Sequence, residues 1–322
     1  MKRKTYNKKA IEYTDVRQIC SERQIEIKEL KSLTGSFGKK IFFINNELLL
    51  RVSETSMAHE QEKFRRVSAL HFVPKIIYAG TLDRDAAPVF YTFLTLLPGD
   101  DFVNAYPDTT LAQQKQLGKD VAGFLDNLHE LNGTQYDIGL YIPALPGFSG
   151  TWRDGHQLYW KLLEQGTEKL DLKQDSVQVT ERAYRYLKAS IGCLDSQTGP
   201  KLLHNDFHPK NTLLNKGKFS GAIDWECSQY GEADFDLCHW FHWCLYPPDS
   251  SLDFRPFLRA FFEAGPKCTR VPNLVQRLTI YQIEHELQQV IWGGSEAESW
   301  RVPRLVHWLN GAVDDLFREI AT

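Results

Sequence analysis

Residues 204 to 211 read HNDFHPKN, set between the apolar KLL and TLLN. Two histidines, an aspartate and two asparagines in so short a stretch suggest chemistry beyond an ordinary loop. Asp206 is a proton acceptor, Asn211 follows it by five residues, and Asp224 opens DWE on the far side of a predicted hairpin. Phosphoryl transfer from a nucleotide needs a group to receive the attacking hydroxyl's proton and hard oxygen ligands for Mg2+, and these three residues supply both. Each has a plainer reading when taken singly. Asp206 suits a turn, Asn211 a loop and Asp224 a strand end. A second constellation is His204, Asp206 and His208, residue types that also ligate a catalytic metal in a hydrolase, although such a site needs further ligands and leaves Asn211 and Asp224 without a task.

The elements that must position these residues follow from periodicity. TLLN, KGK and FSGAI read as two short strands about a glycine turn, which folds residue 211 back toward 224. Upstream, KELKSLTGSFGKKIFFI and NNELLLRVS read as strands joined by turns, with a helix from about Met57 to Leu70 capped by Ser56, then KIIYAG and VFYTFLTLL. PGDDF at 98–102 breaks that pattern and marks a connector. Beyond it, Leu111, Leu117, Val121, Leu125 and Leu128 fall near helical spacing, and further helices are expected near 152–170, 176–192 and after 234. The sequence therefore predicts an α+β fold of two lobes. A small antiparallel sheet lobe spans 1–98, and a larger, mostly helical lobe spans 99–322.

Composition removes several classes. With 322 residues, 42% of them apolar, the chain can build a sizeable core, and a net charge of −3 gives no basic field for nucleic acid or an anionic membrane. The longest apolar run, VFYTFLTLL, is too short for a bilayer, and MKRKTYNKKA has no apolar core behind it to make a signal peptide. The six cysteines form no paired framework, which fits a cytoplasmic protein. CHWFHWC at 238–244 contains two Cys and two His, but it reads as one aromatic buried helix rather than a zinc site.

The run LLHNDFHPKNTLL…GAIDWE…GEADFDLC resembles the Brenner-type signature of the aminoglycoside phosphotransferase and choline kinase superfamily, whose fold is similar to that of protein kinases. The resemblance is specific over 202–238 and looser over about 28–132. It implies a small-molecule kinase using ATP or GTP with Mg2+, in which the first lobe binds nucleotide and the second carries catalysis and the acceptor. It puts Asp206 at the catalytic base, Asn211 and Asp224 at the metal, and His204 and Asp236 at positions that brace the active-site loops. Arg51 stands where protein kinases carry a phosphate-holding lysine, with Glu60 as its helix partner and Glu62 as the alternative. Arginine also donates to phosphate, bidentately. Lys39 or Lys40 would assist. TGSFGKK, with Ser36, would cover the phosphates, and backbone groups near Leu94 to Leu96 would meet the purine. Thr95 stands where an acidic residue is common in these families, so ATP and GTP both remain open.

The acceptor is expected beside Asp206. Trp240, Trp243, Asp249 and Glu284 combine aromatic faces with carboxylates, which suits a cationic amine alcohol, either aminoglycoside-like or choline-like. Two readings compete with the kinase: a catalytically silent kinase-fold binding protein, and the metal-dependent hydrolase. The intact Asp206, Asn211 and Asp224 argue against the first. The acceptor's identity and the oligomeric state are not legible.

Overall fold

The computed structural model describes residues 11–34, 39–84, 87–137 and 148–321. Ser36 and most of TGSFGKK lie outside the described residues, as do residues 138–147. The chain divides into two compact units. One comprises Met1–Gly99 and Ser220–Glu226, the other Asp100–Phe219 and Cys227–Thr322.

The first unit begins with a helix that the sequence reading did not anticipate, α1 (Tyr13–Glu22), opened by a reciprocal Glu12–Asp15 capping box. Five strands follow: β1 (Leu30–Thr34), β2 (Lys40–Ile44), β3 (Leu48–Ser53), β4 (Ile76–Leu82) and β5 (Val89–Thr95). They form one antiparallel sheet in the order β1-β2-β3-β5-β4. The helix α2 (Ala58–Arg66) lies between β3 and β4 in sequence and is shorter than expected, with its N-cap at Met57. The strand β3 is buried on both faces, which explains why LLLRVS does not alternate. Leu50 and Val52 join Val16, Ile19, Phe42 and Phe93 in the core. Arg51 points to the opposite face, where Met57, Glu60, Phe64 and Val67 of the α2 segment are buried.

The second unit is mostly helical. Its first elements are β6 (Asp100–Asp101), the short α3 (Phe102–Ala105), α4 (Leu111–Leu128), α5 (Trp152–Thr167) and α6 (Gln174–Ser190). The strands β7 (Lys201–Leu203), β8 (Thr212–Asn215), β9 (Lys218–Ala222, of which Ser220–Ala222 belong to the first unit) and β10 (Gln229–Gly231) follow, and then α7 (Cys238–Leu245), α8 (Arg255–Ala264), α9 (Leu274–Leu309) and α10 (Ala312–Ala321). The helix α9 is broken at Gly294, whose backbone (φ 56°, ψ −146°) is not helical. α4 packs closely on α8, and a Cβ on Gly118 would stand 2.4 Å from the Phe257 carbonyl, so no larger residue fits there. CHWFHWC is indeed the buried helix α7. All six cysteines are free, and among the described residues no helix is long and apolar enough to cross a membrane.

Candidate active site

In the second unit, β7 pairs antiparallel with β10, Leu203 opposite Gln229 and Lys201 opposite Gly231. The chain leaves β7 straight into the HNDFHPKN loop, so the strand pair fixes the loop's entry. Asn205 has a left-handed backbone (φ 66°), held by its N–H to Asp236 Oδ1 at 2.8 Å and by Gln229 Nε2 to its Oδ1 at 3.0 Å. Asp236 also accepts the His204 N–H at 3.1 Å and lies 3.0 Å from His129 Nε2. It is thus a buried carboxylate whose two oxygens tie two consecutive amides of the loop. His204 is fully buried, with its ring near that of Phe207.

Asp206 is the partly exposed carboxylate at the tip. The side-chain amide of Asn211 donates to its backbone oxygen at 3.0 Å and to its Oδ2 at 3.1 Å. The five-residue spacing visible in the sequence is that of a short 3-10 turn, Pro209–Asn211, which swings the amide back onto the aspartate. With its Nδ2 spent on Asp206, Asn211 keeps Oδ1 as an oxygen donor, the type Mg2+ selects. The Lys210 N–H donates to His208 Nδ1 at 3.2 Å, so the neutral ring carries its proton on Nε2, which faces Asp206 Oδ1 at 3.5 Å. His239 of α7 brings its Nε2 to 3.8 Å from the same oxygen. Among the described residues no three His, Cys, Asp or Glu side chains gather as metal ligands, and His204 lies on the buried side of the loop.

Four histidines run from this carboxylate along the α7 and α9 packing. His208 and His239, His239 and His285, and His285 and His242 are neighbours, with ring centroids 6.0, 5.3 and 4.9 Å apart. Burial pushes His208 down to about 4 against the pull of Asp206. It lowers His239 as well, and holds His285 and His242 well below their ordinary value. An unfolded chain takes up these protons near pH 6.5, whereas in the folded one all four rings resist protonation, His208 until about 4, so their contribution to stability falls as pH drops below 6.5. The thermal midpoint should decline from pH 6.5 to 4, and His285→Gln should flatten the slope. An equally steep slope in the variant would remove the histidines as its cause.

In the first unit, Arg51 and Lys39 sit among three carboxylates. Arg51 Nε lies 2.8 Å from Glu60 Oε1, an ion pair outside hydrogen-bond geometry, and its NH2 donates to Glu226 Oε2 at 3.1 Å. Its NH1 is 3.6 Å from Asp224 Oδ1. Lys39 Nζ lies 2.6 Å from Glu60 Oε2 and also bonds Glu226. Lys40 is elsewhere, bonded to the Ile11 carbonyl, and Glu62 pairs on the surface with Arg65 and Arg66. Glu226 and Lys63, which bonds the Glu226 carbonyl, were not singled out from the sequence. Asp224 has a left-handed backbone (φ 65°), and its side chain is 39% exposed against 8% for Glu60 and 17% for Glu226. It is the carboxylate of the three most open to a metal, while the two cations are suited to phosphate oxygens.

The remaining predicted positions vary. Leu94 lies in the middle strand between β3 and β4 partners, and the Leu96 N–H already donates to the Glu47 carbonyl at 3.3 Å, so that donor is not free for a purine. The Thr95 backbone N–H and side chain both bond Lys75. Trp240 is buried among Phe102, Phe254 and Phe257 rather than open to a ligand. Glu284 is buried and committed to His156 and Trp160. Asp249 is exposed and accepts the Ser251 N–H. Of the four acceptor candidates, Trp243 stacks on His208 of the Asp206 loop at 5.3 Å, and Trp240 meets Phe207 of the same loop at 6.0 Å from its buried side.

A model of the phosphotransferase enzyme family matches residues 30–270. No curated protein sequence matches the chain. Solved structures resemble it along most of its length. The streptomycin–ATP ternary complex of APH(2″)-IIa is 19% identical with a TM-score of 0.64, covering 92% of this chain and 96% of that one. The aminoglycoside phosphotransferase APH(4)-Ia is 18% identical with a TM-score of 0.67, covering 93% and 99%. A GDP complex of an aminoglycoside 2′-phosphotransferase-IIIa variant is 14% identical with a TM-score of 0.64, covering 95% and 96%. At these identities the likeness is one of fold.

Proposed function

The chain belongs to the phosphotransferase enzyme family, and from that premise we propose that it transfers the γ-phosphoryl group of ATP to a hydroxyl of a small molecule. The observation that carries this reading is the Asn211 amide fixing Asp206 through both its backbone and side-chain oxygens. Asp206 Oδ1 takes the hydroxyl proton as the oxygen attacks the γ-phosphorus and the bond to the bridging oxygen breaks, releasing ADP. Arg51 and Lys39 hold phosphate oxygens, and Asp236 keeps the loop rigid. Mg2+, when bound, supplies positive charge against the phosphates, and Asn211 and Asp224 are the residues that would hold it. GTP remains a second donor to be tested, since one similar structure is a GDP complex and others contain ATP or ADP.

The acceptor is proposed as a small hydroxylated molecule. Structures of similar fold contain streptomycin, gentamicin or hygromycin B. A cationic acceptor of that kind here would need carboxylates beside Asp206. Glu284 is already committed, and Asp249 serves a turn. The free cysteines support a reducing compartment such as the cytoplasm.

Thermal shift with ATP, with and without Mg2+, tests the reading. ATP with Mg2+ should raise the unfolding midpoint, and Asp224→Ala should abolish the metal-dependent increment and turnover while the ligand-free midpoint holds. Restoration of metal-stripped enzyme by Zn2+ and not Mg2+ would favour the hydrolase. No shift with any nucleotide would favour a silent binding protein.

A further inference from the structure

His239, His242, Trp243 and Tyr246 follow one another at i, i+3, i+4 and i+7, so they share one face along and just past α7. The row starts at Asp206, 3.8 Å from His239, and by helical rise runs about 10 Å to Tyr246; His239 and His242 are buried against His285, and Trp243 and Tyr246 are its half-buried members. Its far end meets the second half of α9, which carries Trp300, Arg301 and Arg304. The two arginines differ. Arg301 is neutralised by the buried Glu286 at 3.0 Å and also donates to Gln289. The guanidinium of Arg304 lies over the Tyr246 ring at 4.3 Å and the Trp300 ring at 5.1 Å, and among the described residues no carboxylate stands within 4 Å of it. One of its five N–H donors is engaged, NH1 with His242 Nε2 at 3.4 Å. His242 is neutral, so it accepts without cancelling the charge.

A half-buried arginine flanked by aromatic faces, keeping its charge and most of its donors, is suited to bind a flat or tetrahedral oxyanion. Trp300 is 46% exposed, so one wall of this end is open to a ligand. We propose that Arg304, with Tyr246 and Trp300, forms a subsite for an anionic group of the acceptor, a carboxylate or a phosphate, whose hydroxyl lies at Asp206. This inference rests on the kinase reading, since it places the acceptor's far end rather than its reaction. It selects against the cationic amines expected from the sequence, because the far end of the face offers a cation where they would need a carboxylate.

Binding rather than turnover tests it, so that failure here is separable from failure of the nucleotide experiment above. Calorimetric titration of the full chain with benzoate, phenyl phosphate, benzyl alcohol and benzylamine should show the two anions binding and benzylamine no tighter than benzyl alcohol. The tighter of the two anions identifies the preferred source of the charge. Arg304→Gln should weaken anion binding by about tenfold or more, the loss expected for a charge-assisted hydrogen bond, while the ATP-induced thermal shift persists and certifies the fold. Arg304→Lys, which keeps the charge, should retain part of the affinity if the glutamine variant does not fold. Benzylamine binding as tightly as benzoate, anion binding unchanged in Arg304→Gln, or no anion binding at millimolar concentration would each overturn the proposal.

Discussion

Asp206→Asn should lower kcat by a factor of about 10² or more while nucleotide affinity stays within about twofold, because general acid–base catalysis typically contributes 10² to 10⁴. The substitution preserves the loop. An asparagine at 206 still presents an oxygen to the Asn211 amide, and the backbone oxygen that receives its second hydrogen bond is unchanged. What is lost is the negative charge that, on the proposed function, aligns the hydroxyl and receives its proton, a charge that His208 and His239 both face. His208→Ala should cost much less, since its ring reaches Asp206 only at 3.5 Å and its other nitrogen merely accepts the Lys210 amide. Steady-state turnover with the best acceptor, together with calorimetric ATP binding, separates the two effects. Equal damage from both substitutions, with each releasing a bound metal, would return the loop to the hydrolase reading.

The geometry of the loop was legible because it is written over a few consecutive positions. An aspartate and an amide five residues apart signal their contact locally, and the Asn211 amide does donate to Asp206. Glu226 and His239 were not legible for the opposite reason. Glu226 meets Arg51 across 175 positions and His239 reaches Asp206 from another element, so nothing in their own neighbourhood distinguishes them from a surface acid or a core histidine. The acceptor wall failed similarly. Glu284 is among the residues expected to meet the acceptor, yet its helix turns it inward onto His156 and Trp160. Burial around a helix is decided by which neighbour packs on it, and α9 is covered from more than one side, so its polar positions are not its solvated ones. The α1 helix was missed because its ten residues bury only Asp15, Val16, Ile19 and Cys20, a stripe too short for a clear period.

The second large effect concerns stability, at a site sharing the GEADFDLC segment with the catalytic support. Arg277 is fully buried and bonds Asp234 bidentately, Nε to Oδ2 at 2.7 Å and NH2 to Oδ1 at 2.8 Å. Its NH1 donates to the Cys193 and Asp195 carbonyls, and Glu232 lies 3.7 Å from NH2. Glu232 has its own donors in the amides of Gln197 and Thr198, the Thr198 hydroxyl and Tyr136. Among the described residues Asp234 has only the Tyr281 hydroxyl besides the arginine, at 3.0 Å. Arg277→Leu would therefore leave a buried carboxylate nearly uncompensated, and breaking a buried pair from one side costs roughly 3–5 kcal/mol. Urea denaturation should show that loss. Because Asp236 follows Asp234 by two residues and holds the His204 and Asn205 amides, kcat should fall as well, through a loosened loop rather than a lost catalytic group. The double variant Arg277→Leu with Asp234→Leu should be less destabilised than Arg277→Leu alone, since it buries no orphan charge. A double variant at least as unstable as the single one would mean that the arginine's carbonyl contacts, and not its charge, hold this part of the fold.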